Sequence, residues 1–137
     1  MDACSLPLPY EYSQYLFTSS FLMGISSCVC LYYKDYLSFF FMFMLFLTSI
    51  QFWYKPNYGW RRDLDLFMCK AFSIYFFGNT MFRSEFSQAV YRSGFYSTLF
   101  FYLIETILHR FKHKKWIVFH MAIHIYTFFI PFVLYRL

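Results

Sequence analysis

Three stretches of this chain contain no Asp, Glu, Lys or Arg: the residues between Glu11 and Lys34, between Asp35 and Lys55, and between Lys115 and Arg136. Each is close to the ~20 residues a helix needs to cross the hydrocarbon core of a bilayer. The chain as a whole is 60% hydrophobic and 14% charged, and a soluble domain carries about 25% charged residues. Too few charges remain to coat a water-facing surface, so a soluble globular fold is excluded.

Two weaker apolar segments complete the map. Leu66 to Phe82 is interrupted by one charge, Lys70, and Gly94 to Leu108 by one, Glu105. Each spans only if that charge faces protein rather than lipid. The expected fold is all-α: a polytopic transmembrane bundle of about five helices over residues 14–33, 36–54, 65–82, 94–108 and 116–135. Residues 1–137 form a single integral membrane domain, with connections too short for a separate soluble unit. The fourth segment, at about fifteen residues, is short for a span, and a re-entrant or tilted path there gives a four-spanning alternative.

Asp2 and Glu11 precede the first apolar run with no Lys or Arg, the opposite of a signal-peptide n-region, so the first helix is expected to be retained. Cys28, Cys30 and Cys69 fall inside expected spans and Cys4 near the terminus, which reads as buried thiols rather than a disulfide framework. Gly24, Gly78 and Gly94 are positions where helices can approach closely, and Pro131 is a potential kink. Trp53, Tyr54, Trp60 and Trp116 read as an interfacial aromatic belt.

With five helices, the N-terminus, the loop at 55–64 and the loop at 109–115 share one face. That face holds Lys55, Arg61, Arg62, Arg110, Lys112, Lys114 and Lys115, seven cations, against four on the other, Lys34, Arg83, Arg92 and Arg136. The positive-inside bias assigns the first face, and with it the N-terminus, to the cytoplasm. The basic cluster from His109 to Lys115 suits anionic headgroups of the lipid bilayer and is too small a surface for nucleic acid. His109 and His113 belong to that wet loop.

Polar groups inside spans cost several kcal/mol unless paired, hydrated or metal-bound, so they are the informative positions. They are Ser49 and Gln51 in the second helix, Asp65 and Lys70 in the third, Glu105 in the fourth, and His120 and His124 in the fifth. The topology directs all of them toward one face. At 1.5 Å per residue, Ser49 lies roughly 7 Å inside the boundary, His120 roughly 6 Å and His124 roughly 12 Å. His120 and His124 stack on one helix face, a spacing that serves either one metal ion or hydrogen bonds to neighbouring helices.

Ser49 late in one helix, Asp63 or Asp65 at the start of the next, and His120-x-x-x-His124 in the last helix together resemble the alkaline ceramidase, adiponectin-receptor and Per1-like superfamily, known as CREST. The matching stretches are Thr48 to Asp65 and Trp116 to Tyr126. Members are typically seven-helix membrane hydrolases that hold zinc with three His beside a Ser and an Asp. The resemblance implies a Zn2+ site with His120 and His124 as ligands and metal-assisted hydrolysis of a lipid amide or ester. Asp65 would take the proton of the attacking water, and Ser49 would hydrogen-bond the developing oxyanion. One departure bears on all of this: four residues after Ser49 the family has its third histidine, and this chain has Trp53, whose indole N–H offers no lone pair to a metal. Either Glu105 or an Asp supplies the missing ligand, or the site is degenerate.

The same residues have plainer readings. Asp63 and Asp65 beside Arg61 and Arg62 make an interfacial ion cluster at a helix start, and Lys70 either snorkels or pairs with Glu105. Three functional classes follow: a membrane-embedded hydrolase or its degenerate relative acting on a lipid substrate, a non-catalytic membrane assembly protein, and a small oligomeric channel or transporter with Lys70 and Glu105 along its path.

Overall fold

A computed structural model describes residues 10–56, 59–111 and 113–135. Cys4, Lys112 and Arg136, used above, lie outside the described residues. The protein is all-α, with five helices: α1 (Tyr10–Tyr32), α2 (Tyr36–Tyr54), α3 (Trp60–Thr80), α4 (Glu85–Arg110) and α5 (Trp116–Tyr135). Three segments, Ser13–Tyr32, Tyr36–Tyr54 and Trp116–Tyr135, are long and apolar enough to cross a membrane.

The limits of α2 and α5 coincide with the charge-free intervals, whereas α3 and α4 run further than their apolar segments. α4 has 26 residues and is the longest of the five, ~39 Å, rather than a short or re-entrant piece. Its extra length comes mainly from Glu85 to Ser93, a mixed polar and apolar stretch that leaves helix formation intact, and it starts after Ser84, whose hydroxyl caps the helix by accepting from Ser87 N at 3.3 Å. α3 likewise begins at Trp60, so Arg61, Arg62 and Asp63 form its first turn.

The turn from α1 to α2 is a Schellman closure. Asp35 N donates to Cys30 O at 3.0 Å and Lys34 N to Leu31 O at 2.9 Å, with Lys34 at φ 58°, the left-handed conformation that glycine takes at least cost. Asp35 then caps α2 through Ser38 N. It is also the hub of a polar network at this end of the bundle. Ser38 Oγ and Tyr135 Oη each donate to Asp35 Oδ2 at 2.8 Å, and Arg83 Nη2 approaches the same oxygen at 3.8 Å. Because the Ser38 proton is committed to Asp35, the Tyr75 hydroxyl donates to Ser38 Oγ (2.9 Å), and Asn79 Nδ2 donates to Tyr75 in turn (3.0 Å). One carboxylate thus joins the ends of α2, α3 and α5.

α1 lies between α2 and α5; α3 flanks α2, α4 flanks α5, and α3 and α4 touch only sparsely. The central position of α1 follows from its small residues. Ser19 and Ser26 lie seven apart, as do Ser20 and Ser27, and all four are buried where neighbouring backbones come close. Their hydroxyls are satisfied on the helix itself, as Ser20 Oγ to Leu16 O (2.7 Å), or across it, as Ser26 Oγ to Phe128 O (2.6 Å). Gly24 admits the Phe46 ring to 3.3 Å of its would-be Cβ, and Gly94 admits Tyr126, whose hydroxyl donates to Tyr91 O at 3.1 Å. Gly78 differs from expectation: nothing lies within 4 Å of its Cβ position, so no close approach depends on it.

Two apolar clusters fill the interior. One joins Met23, Met42, Leu45, Met68, Phe72, Phe76, Tyr91, Ile130 and Leu134; the other joins Leu16, Phe52, Trp53, Trp116 and Ile117. Along α1, α2 and α5 alike, the polar residues Ser19, Ser49 and His120 with His124 fall between the two clusters in sequence. The candidate site is therefore a polar layer sandwiched between apolar ones.

A side chain at Gly94 would overlap the Tyr126 ring, forcing it to give up its bond to Tyr91. Gly94→Ala is expected to destabilise the detergent-solubilised protein by about 1–3 kcal/mol. Gly78→Ala, in open space on a helix, is expected to be neutral or to stabilise by up to about 1 kcal/mol. Thermal unfolding followed by circular dichroism checks both.

Candidate functional site

Ser49 and Asp65 meet across the α2–α3 turn: Ser49 Oγ donates to Asp65 Oδ1 at 3.0 Å, and both residues are buried. The short connection from α2 to α3 brings the end of one helix beside the start of the next, which makes this contact possible. Asp63, two residues earlier, is exposed in the first turn of α3, so of the two candidate acids it is Asp65 that joins the layer.

His120 and His124 stack on one face of α5 with ring centroids 4.8 Å apart. His120 Nδ1 lies 2.8 Å from Glu105 Oε1 on α4. His124 is 3% exposed, and its Nδ1 lies 2.7 Å from Ser19 Oγ on α1. Five helices therefore each send at least one polar side chain into the layer.

Both contacts are made through Nδ1. Ser19 Oγ lies 3.1 Å from Leu16 O and 2.7 Å from His124 Nδ1; with its one proton on Leu16 O, its oxygen accepts from His124 Nδ1–H and Nε2 is the bare nitrogen of the neutral ring. With Glu105 as a carboxylate, His120 donates from Nδ1, and in the neutral ring its Nε2 carries the lone pair. Both rings are oriented through the nitrogen nearer the backbone, and both keep the far nitrogen available.

Trp53 lies against this pair, its ring centroid 5.0 Å from that of His120 and 6.4 Å from that of Trp116. Trp53 and Trp116 are buried, at 5% and 8% exposure, and close the layer from its outer end rather than standing in an interfacial belt. Tyr54 and Trp60 do face outward, as an anchoring belt requires. Among the described residues, two buried polar atoms beside His120 have no hydrogen-bond partner: the Trp53 Nε1–H, a donor, and Glu105 Oε2, an acceptor.

Three expectations are corrected. Lys70 does not pair with Glu105, whose bonded oxygen goes to His120; Lys70 is exposed on α3. Gln51 points away from the layer, on the exposed side of α2, because two residues turn a helix by about 200° from Ser49. Cys28 and Cys69 are exposed free thiols, and only Cys30 matches the buried reading. Sequence reasoning missed Ser19 altogether. The available signal was the seven-residue repeat of serines on α1, which marks a face packed against other helices.

Among the described residues, no three His, Cys, Asp or Glu side chains gather closely enough to hold a metal ion. The donor set explains why: Trp53 stands where the resemblance would place a third histidine, and Glu105 directs one oxygen to His120 Nδ1, the orienting role rather than the ligand role. Two imidazole nitrogens remain, one short of the three-histidine set. Comparison with protein-family models, with curated proteins and with solved structures finds no match for the chain.

The tautomer assignment is directly measurable. In histidine-labelled protein, nitrogen NMR is expected to show Nδ1 protonated and Nε2 unprotonated for His120 and His124. Ser19→Ala and Glu105→Leu should each release only the ring they orient. A proton on Nε2 of either wild-type ring would contradict the geometry.

Proposed function

We propose that the protein is a reduced, membrane-embedded relative of the ceramidase-like hydrolases whose polar layer binds the amide head of a lipid, without metal-dependent turnover. The observation that carries this reading is the pair of unpartnered buried atoms flanking His120, Trp53 Nε1–H and Glu105 Oε2. Each costs about 1–3 kcal/mol while unsatisfied. A secondary amide offers one carbonyl acceptor and one N–H donor, and so answers both; an ester answers only the indole.

The resemblance to the family rests on Ser49, Asp65, His120 and His124, and the hydrogen bond from Ser49 to Asp65 together with the edge-to-face contact of the two histidines supports it. The same reading puts the polar layer and the N-terminus on the cytoplasmic side, on the strength of the seven-against-four cation balance. The surrounding Phe and Leu side chains would receive the acyl chain. No chemical step is assigned to a metal, because the ligand set is incomplete.

One observation favours a second reading, a zinc-assisted lipid amide or ester hydrolase: both histidines are held through Nδ1 with Nε2 bare, the arrangement that metal-binding imidazoles adopt. Purified protein distinguishes the two. Metal analysis is expected to give well below one zinc per chain, and a long-chain N-acyl amide is expected to bind at least about fivefold more tightly than the matched ester. Glu105→Gln should remove that preference, because its carbonyl would keep the His120 bond and its NH2 would face the ligand as a donor. Stoichiometric zinc with amide hydrolysis, both lost in His120→Ala, would overturn the proposal in favour of the hydrolase.

A further inference from the structure

The outward side of α2 carries a second recognisable feature. Leu47, Ile50, Gln51 and Tyr54 recur at one-turn spacing along one face, opposite the face that holds Ser49 and Trp53. With Phe17 of α1 on one side and Arg61 at the start of α3 on the other, they line an open groove of about 450 Å³. That volume lies within the range of small-ligand sites, ~300–1,000 Å³. Phe17 and Tyr54 stack loosely at its edge, with ring centroids 6.0 Å apart.

The polar groups of the groove are graded along its length. Leu47, Ile50 and Phe17 form an apolar wall. Gln51 sits ~4.5 Å inside the end of α2, exposed among apolar neighbours, and its amide makes no hydrogen bond with another described residue. Arg61 stands beyond the end of α2; its guanidinium lies over the Trp60 ring at 5.6 Å, and it forms no ion pair among the described residues. Lys55 Nζ lies over the ring of Tyr54, a groove residue, at 5.8 Å from its centroid. Apolar wall, amide and guanidinium follow the order of acyl chain, glycerol ester and phosphate in a phospholipid. A guanidinium matches phosphate with two parallel hydrogen bonds.

We propose that this groove is a binding site for one anionic phospholipid, with an acyl chain along Phe17, Leu47 and Ile50, an ester carbonyl on Gln51, and the phosphate on Arg61. The preference for net negative charge comes from Arg61 in the groove lining and Lys55 next in sequence to Tyr54 at the end of α2. The site is on the opposite side of α2 from the polar layer, so it stands or falls independently of what that layer binds.

Native mass spectrometry of the full chain in detergent tests the assignment, using phosphatidylglycerol and phosphatidylcholine with identical acyl chains. Phosphatidylglycerol is expected to be retained preferentially. Arg61→Gln is expected to weaken its retention about fivefold, the effect of one cation near a headgroup. Ile50→Trp, which fills the apolar wall and leaves every charge in place, should displace both lipids. Circular dichroism confirms that each variant keeps its helices. Unchanged phosphatidylglycerol retention in Arg61→Gln overturns the phosphate assignment. Loss in Arg61→Gln with full retention in Ile50→Trp overturns the groove, leaving only diffuse attraction to a basic edge.

Discussion

A polar side chain inside an apolar bundle has few places to find a hydrogen bond, and that scarcity organises this molecule. Water satisfies such a group at a protein surface; between two apolar clusters only another side chain or a nearby carbonyl can. Ser49 therefore bonds Asp65, Glu105 bonds His120, and Ser19 bonds His124, three contacts that tie α2 to α3, α4 to α5 and α1 to α5. The end of the bundle nearer the α1–α2 turn obeys the same rule through Asp35, on which Ser38, Tyr135 and Arg83 converge. The helices are pinned by these contacts at both levels, and the Phe-rich clusters fill the space between. Buried unpaired groups are the expensive alternative, so each pairing specifies neighbours as well as stabilising them.

In the proposed reading, the layer is a site of the ceramidase-like kind that lacks its third histidine. Trp53 packs on His120 and Trp116 where that histidine would stand. Both histidines are engaged through Nδ1. A donor and an acceptor, Trp53 Nε1–H and Glu105 Oε2, lie beside an oriented imidazole, an environment suited to recognising a polar headgroup. The incomplete ligand set is why the proposal assigns binding rather than turnover.

Much of the architecture was legible in the sequence, for an identifiable reason. Charges flank α2 and α5 closely, so the apolar intervals and the helices share boundaries. At α3 and α4 they do not, because Arg61, Arg62, Glu85 and Arg92 sit comfortably in helical turns that extend beyond the apolar core, and hydrophobicity alone truncates such helices. In the site, Ser49, Asp65, Glu105 and the histidine pair were found by position and spacing. The direction in which Gln51 and Lys70 point was not, since facing depends on which helices become neighbours. Ser19 was invisible for a related reason: a serine on a small-residue face reads as packing until a partner 105 positions away is brought against it.

The central claim is that ionisable and polar side chains in this apolar chain are paired across helices, with Glu105 and His120 as the pair most directly tied to the proposed site. A double-mutant cycle measures it: reversible unfolding in micelles of wild type, Glu105→Leu, His120→Phe and the combined variant. A coupling free energy of roughly 1 kcal/mol or more is expected for a buried hydrogen-bonded pair of this kind. Additive single effects, with coupling near zero, would contradict it.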